Sequence, residues 1–124
     1  MSDGPRHDHS NVAAIDPLLR QELDELTSGI CKALNDPKRL VLLYCLRDGP
    51  RTVTELCEVV GAPQANTSQH LAVLRDRGLL KAEQVGNRVR YSLRHPKVIE
   101  AIDLLRAIMG EELTRQAALR SLES

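Results

Sequence analysis

The stretch from Thr54 to Asp76, TELCEVVGAPQANTSQHLAVLRD, decides the fold of this chain. Its apolar residues recur at helical spacing on both sides of Gly61-Ala62-Pro63, a tight turn in which Pro63 is well placed to begin a helix. We expect a short helix that Thr54 caps and that ends at Val60, followed by a second helix over residues 63–76. Two helices joined by a three-residue turn that contains glycine have the spacing of a DNA-binding helix-turn-helix.

The second of these helices has an apolar side and a polar side. Thr67, Leu71 and Leu74 share one side at helical spacing, with Gly78 beyond them, and we expect this side to point inward. The opposite side, near the helix start, carries small and amide side chains, which suit the edges of bases in the major groove. Ala65 also lies on this side. The candidate DNA-reading residues are Gln64, Asn66, Ser68 and Gln69.

A basic hairpin follows directly. We predict strands over residues 80–84 and 88–93, joined by Gly86-Asn87, a pair that is typical of hairpin turns. The second strand alternates, with apolar Val89, Tyr91 and Leu93 on one face and polar Arg88, Arg90, Ser92 and Arg94 on the other. Outward Arg88 and Arg90 can follow phosphates or enter a minor groove, so the hairpin is predicted to form a DNA-binding wing.

Three further helices complete the predicted fold. The first begins at Asp16-Pro17 and carries an apolar stripe as far as Leu34. The second covers about residues 38–47, after the break at Asp36-Pro37, and a long last helix begins near Pro96. The fold class is therefore mainly α with a small β-hairpin, a five-helix winged helix-turn-helix.

Length and composition indicate one globular domain. The chain has 124 residues, of which 42% are hydrophobic and 27% charged. We expect a mobile N-terminal arm over residues 1–15, the winged helix-turn-helix domain over residues 16–120, and a tail over residues 121–124. Because no apolar run approaches the ~20 residues of a membrane span, and the polar N-terminus shows no signal-peptide core, we expect a cytoplasmic protein without a membrane partner.

Charge is distributed unevenly, although the formal net charge is zero. Residues 62–97 carry seven basic and two acidic side chains, whereas residues 1–36 carry three basic and seven acidic ones. A localised positive segment is typical of a nucleic-acid footprint. Tyr44 and Tyr91 are the only aromatic residues, which argues against the stacking platforms that bind single strands.

Four motifs together resemble the ArsR/SmtB family of bacterial repressors. They read NDPKRL at residues 35–40, TEL at 54–56, TSQHLAVLRDRGLL at 67–80 and GNRVRYSL at 86–93, and the match covers about residues 22–110. The resemblance implies a homodimeric repressor that leaves its operator when a metal ion or reactive small molecule binds. It also implies that the first and last helices form the dimer interface, which agrees with apolar stripes that a small chain cannot bury alone.

The metal sites of that family are incomplete in this chain. Where the arsenic-type site reads Glu-Leu-Cys-Val-Cys-Asp, residues 55–60 read ELCEVV, with Cys57 as the only thiol. At the zinc-type positions, His95, Lys97, Ile108 and Glu111, only Glu111 fits. Because a divalent transition metal requires three or four ligands, we predict no metal and no cofactor. The alternative is a different site that joins Cys57 to His7 or His9.

Thiols remain as a second candidate chemistry. Sulfide-responsive members of the family pair a cysteine on the second helix with one near the end of the last helix. Here Cys45 lies one residue beyond the first position, and Gly110 occupies the second. Cys31 and Cys45, on neighbouring helices, are therefore the candidate redox thiols. The alternative is that all three cysteines of the chain, Cys31, Cys45 and Cys57, are buried and act as small hydrophobic residues.

These observations predict a sequence-specific DNA-binding repressor that acts as a homodimer on a double-stranded operator. A small inducer, with a thiol-reactive species as the first candidate, would release it; the sequence does not identify that inducer. The alternatives are a metal-responsive repressor with a non-standard site and a winged-helix protein-interaction module without DNA binding. An enzyme is not predicted, because the sequence has no Gly-rich phosphate loop, nucleophile triad or apolar carboxylate pair.

Overall fold

The computed structural model describes residues 15–123, which form five helices and one small sheet. α1 is Pro17–Leu26, and a π-helical segment, Thr27–Cys31, and a last turn, Lys32–Leu34, extend it. The other helices are α2, Pro37–Cys45, α3, Val53–Val60, α4, Gln64–Asp76, and α5, Lys97–Glu123. The strands are β1, Arg51–Thr52, β2, Leu80–Val85, and β3, Arg88–Leu93. They form an antiparallel sheet in the order β1-β3-β2.

Aspartate-proline pairs begin the first two helices. The sequence predicts this start for Asp16-Pro17, whereas it predicts Asp36-Pro37 as a break before a helix from about residue 38; Pro37 is in fact the first residue of α2. The Asp16 carboxylate accepts a hydrogen bond from the Leu18 N–H at 3.0 Å, and Asp36 accepts one from the Lys38 N–H at 2.8 Å. The proline after each aspartate occupies the first helical turn, where its missing N–H has no intrahelical partner to lose. α2 ends at Cys45, two residues before the predicted end.

The start of α3 differs from the prediction. Thr52, and not Thr54, is the cap: its hydroxyl accepts from the Glu55 N–H at 3.3 Å, and the Glu55 carboxylate accepts from the Thr52 N–H at 2.8 Å. This reciprocal pair is a capping box, which satisfies two N–H groups at the helix start. Pro63 is likewise the cap of α4, whose first helical residue is Gln64.

The hairpin has the predicted turn and a third strand that the sequence did not reveal. Gly86 has a φ of +64°, whereas no non-glycine residue between residues 15 and 123 has a positive φ, so Gly86-Asn87 fits a type II′ turn. In β1, Arg51 pairs with Tyr91 and Thr52 pairs with Arg90. The wing is thus joined by backbone hydrogen bonds to the start of α3.

The core lies between α2, α3, α4, the sheet and the first turns of α5. Leu71 and Leu74 of α4 are fully buried together with Thr67, which confirms the inward side that the sequence predicts. They pack in a cluster of mostly leucine side chains, whose fully buried members also include Leu42, Leu43, Leu56 and Leu80. The core therefore holds α4 by its apolar side and leaves its polar side exposed.

α1 and the later part of α5 keep apolar side chains at the surface. No residue of Pro17–Leu26 is buried, and Leu18 is 68% exposed. On α5 the exposed apolar residues continue to the end of the helix, with Leu104, Leu105, Ile108, Met109, Leu113, Leu119 and Leu122. These two stripes find too little apolar surface within the single chain to cover them.

Candidate nucleic-acid interface

α4 presents the predicted polar residues on its exposed side. Gln64, Asn66 and Gln69 are exposed and Ser68 is half-buried, while Thr67, in the same turns, is fully buried. Gly61, with a φ of +68°, ends α3 in the left-handed conformation and lets the chain turn sharply into α4. Within residues 15–123, the side chains on this exposed side of residues 64–69 form no hydrogen bonds. Amide and hydroxyl groups are thus free to meet base edges.

A cleft joins the tip of α4 to the tip of the wing. It has a volume of about 350 Å³, and it is lined by side chains from the starts of α3 and α4 and from the hairpin: Thr52, Val53, Thr54, Gln64, Asn87, Arg88 and Val89. The cleft brings together Gln64 and Arg88, two residues that the sequence predicts for different roles. Asn87 and Thr54 also line the cleft, although neither was predicted to contact DNA. The position of Asn87 in the hairpin turn, at the tip of the wing, is the sequence signal that could have indicated it.

The two wing arginines have different surroundings. Arg88 is exposed and pairs in register with Val85, so no charged residue lies opposite it. Arg90 is half-buried and lies opposite Glu83 on one side and Thr52 on the other. Glu83 therefore partly offsets the positive charge of Arg90, whereas no carboxylate lies opposite Arg88.

A second carboxylate also faces Arg90. The pKa of Glu55 is lowered, first by its hydrogen bonds with Thr52 and then by the positive charges of Arg51 and Arg90. Arg90 thus contributes, as the last of these causes, to the lowered pKa of Glu55, and it lies opposite Glu83 in the sheet; among the described residues it forms an ion pair within 4.0 Å with neither.

The cysteine side chains are separate and free. Cys31 is exposed and lines a groove with Leu34 and Leu105, so the alternative that all three cysteines are buried is wrong. Cys45 is half-buried and lines a different cavity, of about 610 Å³, between α2 and α5. Burial raises the pKa of the Cys45 thiol, and the charge of Arg51 opposes that shift only in part. Cys57 on α3 is half-buried.

Metal-ligand side chains do not gather within the described chain. Between residues 15 and 123, no three His, Cys, Asp or Glu residues are grouped so that they could hold a metal ion. His7 and His9, the partners considered for Cys57, lie outside the described residues. None of the helices in the same range is long and apolar enough to cross a membrane.

Comparisons with known proteins show which family shares this sequence and fold. Residues 36–82 match the sequence model of a family described as "Bacterial regulatory protein, arsR family". The HTH-type transcriptional regulator NmtR of Mycobacterium tuberculosis is 38% identical over 87 residues, which are 70% of this chain and 72% of that protein. The chain belongs to the ArsR family. The ArsR-family match begins at the cap of α2 and ends in β2, so it contains the complete helix-turn-helix.

Two further similarities extend this ArsR-family assignment. A probable mercury resistance operon repressor of Streptomyces lividans is 36% identical over 87 residues, which are 70% of each chain. Among solved structures, the chain is similar to the homodimeric winged helix-turn-helix DNA-binding domain, fragment 1–100, of a possible ArsR-family transcriptional regulator of Mycobacterium bovis. That similarity has a TM-score of 0.69 at 26% identity and covers 83% of this chain and 94% of that one.

Proposed function

We propose that this ArsR-family protein is a repressor that binds a double-stranded DNA operator through α4 and the wing. The observation that carries the proposal is the cleft that places Gln64, at the start of α4, beside Arg88, at the tip of the wing. A duplex seated there would meet amide groups in its major groove and a guanidinium on its backbone in the same approach. Such a combination of base-edge and phosphate contacts is how DNA-binding proteins obtain both specificity and orientation.

Base reading is assigned to the exposed side of α4. Asn and Gln side chains can form paired hydrogen bonds with adenine, and Ser can donate to or accept from several bases. We therefore propose Gln64, Asn66, Ser68 and Gln69 as the base-contacting set. Arg88 is proposed as the phosphate contact of the wing, and Arg90 as a weaker contributor, because Glu83 opposite it and the nearby Glu55 partly offset its charge.

A homodimer is the proposed DNA-binding unit. Its support is the pair of exposed apolar stripes on α1 and α5, on which Leu18 and Leu104 are 68% and 67% exposed, together with the homodimeric state of the similar Mycobacterium bovis domain. Two chains related by a two-fold axis would present two α4 helices to one face of the duplex. We expect a near-palindromic operator with half-sites about 10 bp apart, or a multiple of that distance.

The proposed inducer is a thiol-reactive small molecule. Cys31 is the accessible thiol, and Cys45 lines a cavity between α2 and α5. A change at Cys31 would act at the extension of α1, next to the proposed dimer interface, and a change at Cys45 would act where α2 meets α5. The relative named for mercury resistance makes a soft metal ion the second candidate, since thiolates are ligands that soft metals prefer. A protein with this role would act in the cytoplasm.

Binding to DNA upstream of the protein's own gene tests the proposal. The fragment is titrated at two salt concentrations, with an unrelated fragment of equal length and base composition as the competitor. We expect specific binding by the wild type and loss of its preference in a Gln64→Ala/Gln69→Ala double variant. Equal affinity of the wild type for both fragments at both salt concentrations would contradict the proposed function.

A further inference from the structure

A second basic surface lies at the base of the wing, at the end of the sheet away from Gly86-Asn87. It is formed by exposed cations that follow α4, begin β2 and connect β3 to α5. We name these four residues the wing-base patch: Arg77, Lys81, Arg94 and Lys97.

Backbone contacts hold the segments of this patch side by side. The Arg94 N–H donates to the carbonyl of Leu79 at 3.0 Å, and Lys81 pairs in register with Ser92. Residues 79–81 and 92–94 therefore run next to each other. Arg77 lies two positions before the first segment and Lys97 three positions after the second, so that both flank this contact.

The charges of the patch are not neutralised within the described chain. Between residues 15 and 123, none of the four cations forms an ion pair or a side-chain hydrogen bond. The neighbouring carboxylate of Asp76 lies 4.0 Å from Arg75, a cation outside the patch. An anionic partner would therefore meet four positive charges without displacing an internal one.

We propose that the wing-base patch binds the phosphate backbone of DNA that flanks the operator half-site, with the duplex bent toward the protein. This proposal rests on the proposed function. Arg94 lies six positions after Arg88, which corresponds to about 20 Å along a strand and to about 6 bp of a duplex. A duplex that contacts the wing tip thus carries phosphates that a bend can bring to the patch.

Arg90 separates the two basic regions. Because Glu83 and Glu55 partly balance it, the middle of the wing attracts DNA less than either end. The patch is therefore a second point of contact and not a continuation of the first.

DNA is favoured over an acidic protein because a duplex bound at α4 is already held near the patch, so that its flanks reach the patch at high effective concentration. The guanidinium groups of Arg77 and Arg94 can then bind phosphate oxygens of those flanks through paired hydrogen bonds.

Two duplexes with the same operator core test the proposal. One ends near the wing tips, and the other continues by about 10 bp, one helical turn, on each side. Binding is measured by fluorescence anisotropy for the wild type, for an Arg77→Gln/Arg94→Gln double variant, and for Arg115→Gln as control. Arg115 lies 18 residues along α5 from Lys97, about 27 Å at helical rise.

The wild type and the control should bind the longer duplex roughly tenfold more tightly at low salt, with a steeper salt dependence. The double variant, which keeps Lys81 and Lys97, should lose most of this gain and should bind the short duplex with the affinity of the wild type. Energy transfer between dyes at the two ends of the longer duplex should rise on binding of the wild type and less on binding of the double variant.

Four results would overturn the proposal. Failure of the wild type to bind even the short duplex would reject the proposed function, and this inference with it. Normal binding of the short duplex without any gain from the flanks would reject this inference alone, as would a gain that the double variant keeps. Absence of a flank effect, together with patch-dependent binding of poly-glutamate, would instead assign the surface to an acidic protein.

Discussion

The guanidinium of Arg39 on α2 lies 3.3 Å from Nδ1 of His70 on α4. The same group donates from Nε to the carbonyl of Ala33 at 2.6 Å and from Nη2 to the carbonyl of Lys32 at 3.3 Å. A guanidinium can only donate, so Nδ1 of His70 accepts, and the proton of the neutral ring is on Nε2. One side chain thus ties the end of α1 to α4, the helix that carries the proposed DNA-reading residues.

Arg39→Met should therefore lower both stability and operator affinity. The substitution keeps an apolar stem of similar length but leaves the Ala33 carbonyl and His70 without their donor. We expect the free energy of unfolding to fall by about 1–3 kcal/mol, measured by urea denaturation. Lys38→Met, at the exposed neighbouring position, is the control and should change stability little. A decrease of equal size in both variants would show that Arg39 acts only through its charge.

Gln69→Ala should relax base preference at one operator position. Gln69 is exposed on the polar side of α4, so its removal leaves the core intact. We expect a loss of discrimination of about 1–3 kcal/mol at one base pair, measured with a set of operators that carry single substitutions. Gln116→Ala on α5 is the matched control. If the Gln69 variant ranks every operator as the wild type does, then Gln69 does not read a base.

Arg88→Ala should reduce the salt dependence of DNA binding more than Arg90→Ala. Arg88 has no charged residue opposite it, whereas Arg90 lies opposite Glu83 and near Glu55. The slope of log affinity against log salt should become shallower by about 0.9 for each phosphate that the variant no longer neutralises. Arg90→Ala should instead mainly reduce thermal stability. Equal changes of slope in the two variants would indicate that both arginines bind the DNA backbone alike.

Asp103 should stabilise the protein above the acid range. The pKa of its carboxyl is lowered from the ordinary value of 3.8, first by the hydrogen bond from the Tyr44 hydroxyl and then by Arg106, which lies 3.0 Å away. A carboxyl whose pKa is lower in the folded state contributes stability above its unfolded pKa and loses that contribution as pH falls through the folded pKa. Wild type should therefore be more stable than Asp103→Asn near neutral pH. This difference should shrink as the pH falls below 3.8 and should vanish only below the lower pKa of the folded state.

Urea denaturation across that pH range checks the Asp103 prediction. Tyr44→Phe keeps the carboxylate of Asp103 but removes its main hydrogen bond. Its loss of stability relative to the wild type should therefore be smaller than that of Asp103→Asn and should depend on pH in the same way. A difference between wild type and Asp103→Asn that stays constant down to the acid range would contradict an electrostatic origin.

Cys31 should react with iodoacetamide before Cys45 does. Cys31 is exposed, whereas Cys45 is half-buried and its thiol pKa is raised by burial. Because the thiolate is the reactive form, alkylation followed by mass spectrometry should show Cys31 modified first. If a thiol-reactive inducer releases the operator, Cys31→Ser should prevent release and Cys57→Ser should not. Release that persists in Cys31→Ser but is abolished in Cys57→Ser would assign the response to α3 instead.

Local patterns predicted the parts of this fold that depend on nearby residues. The inward side of α4, with Leu71 and Leu74, follows from helical spacing, and the hairpin turn follows from Gly86-Asn87. The predicted cap of α3, Thr54, lies two residues after the observed cap, Thr52, which its hydrogen bonds with Glu55 identify. Cap geometry is a matter of one or two residues, which spacing alone does not resolve.

Features that depend on distant residues did not emerge from the sequence. β1 has only two residues and exists because Arg51 meets Tyr91, forty positions later. The different surroundings of Arg88 and Arg90 depend on the register with β2, which alternation along one strand does not specify. The contact of Arg39 with His70 joins residues 31 positions apart, and the exposure of Cys31 depends on how α1 packs.

β1 couples the wing mechanically to the helix-turn-helix. Thr52 pairs with Arg90 of the wing and also caps α3 of the helix-turn-helix, so neither element can tilt without straining the other. A signal that moved only the wing, or only α3, would have to break this short strand. In the proposed dimer, a shift of each chain as one block relative to its partner leaves β1 intact. We therefore expect an inducer to change the distance between the two α4 helices, and operators with altered half-site spacing would report the induced state directly.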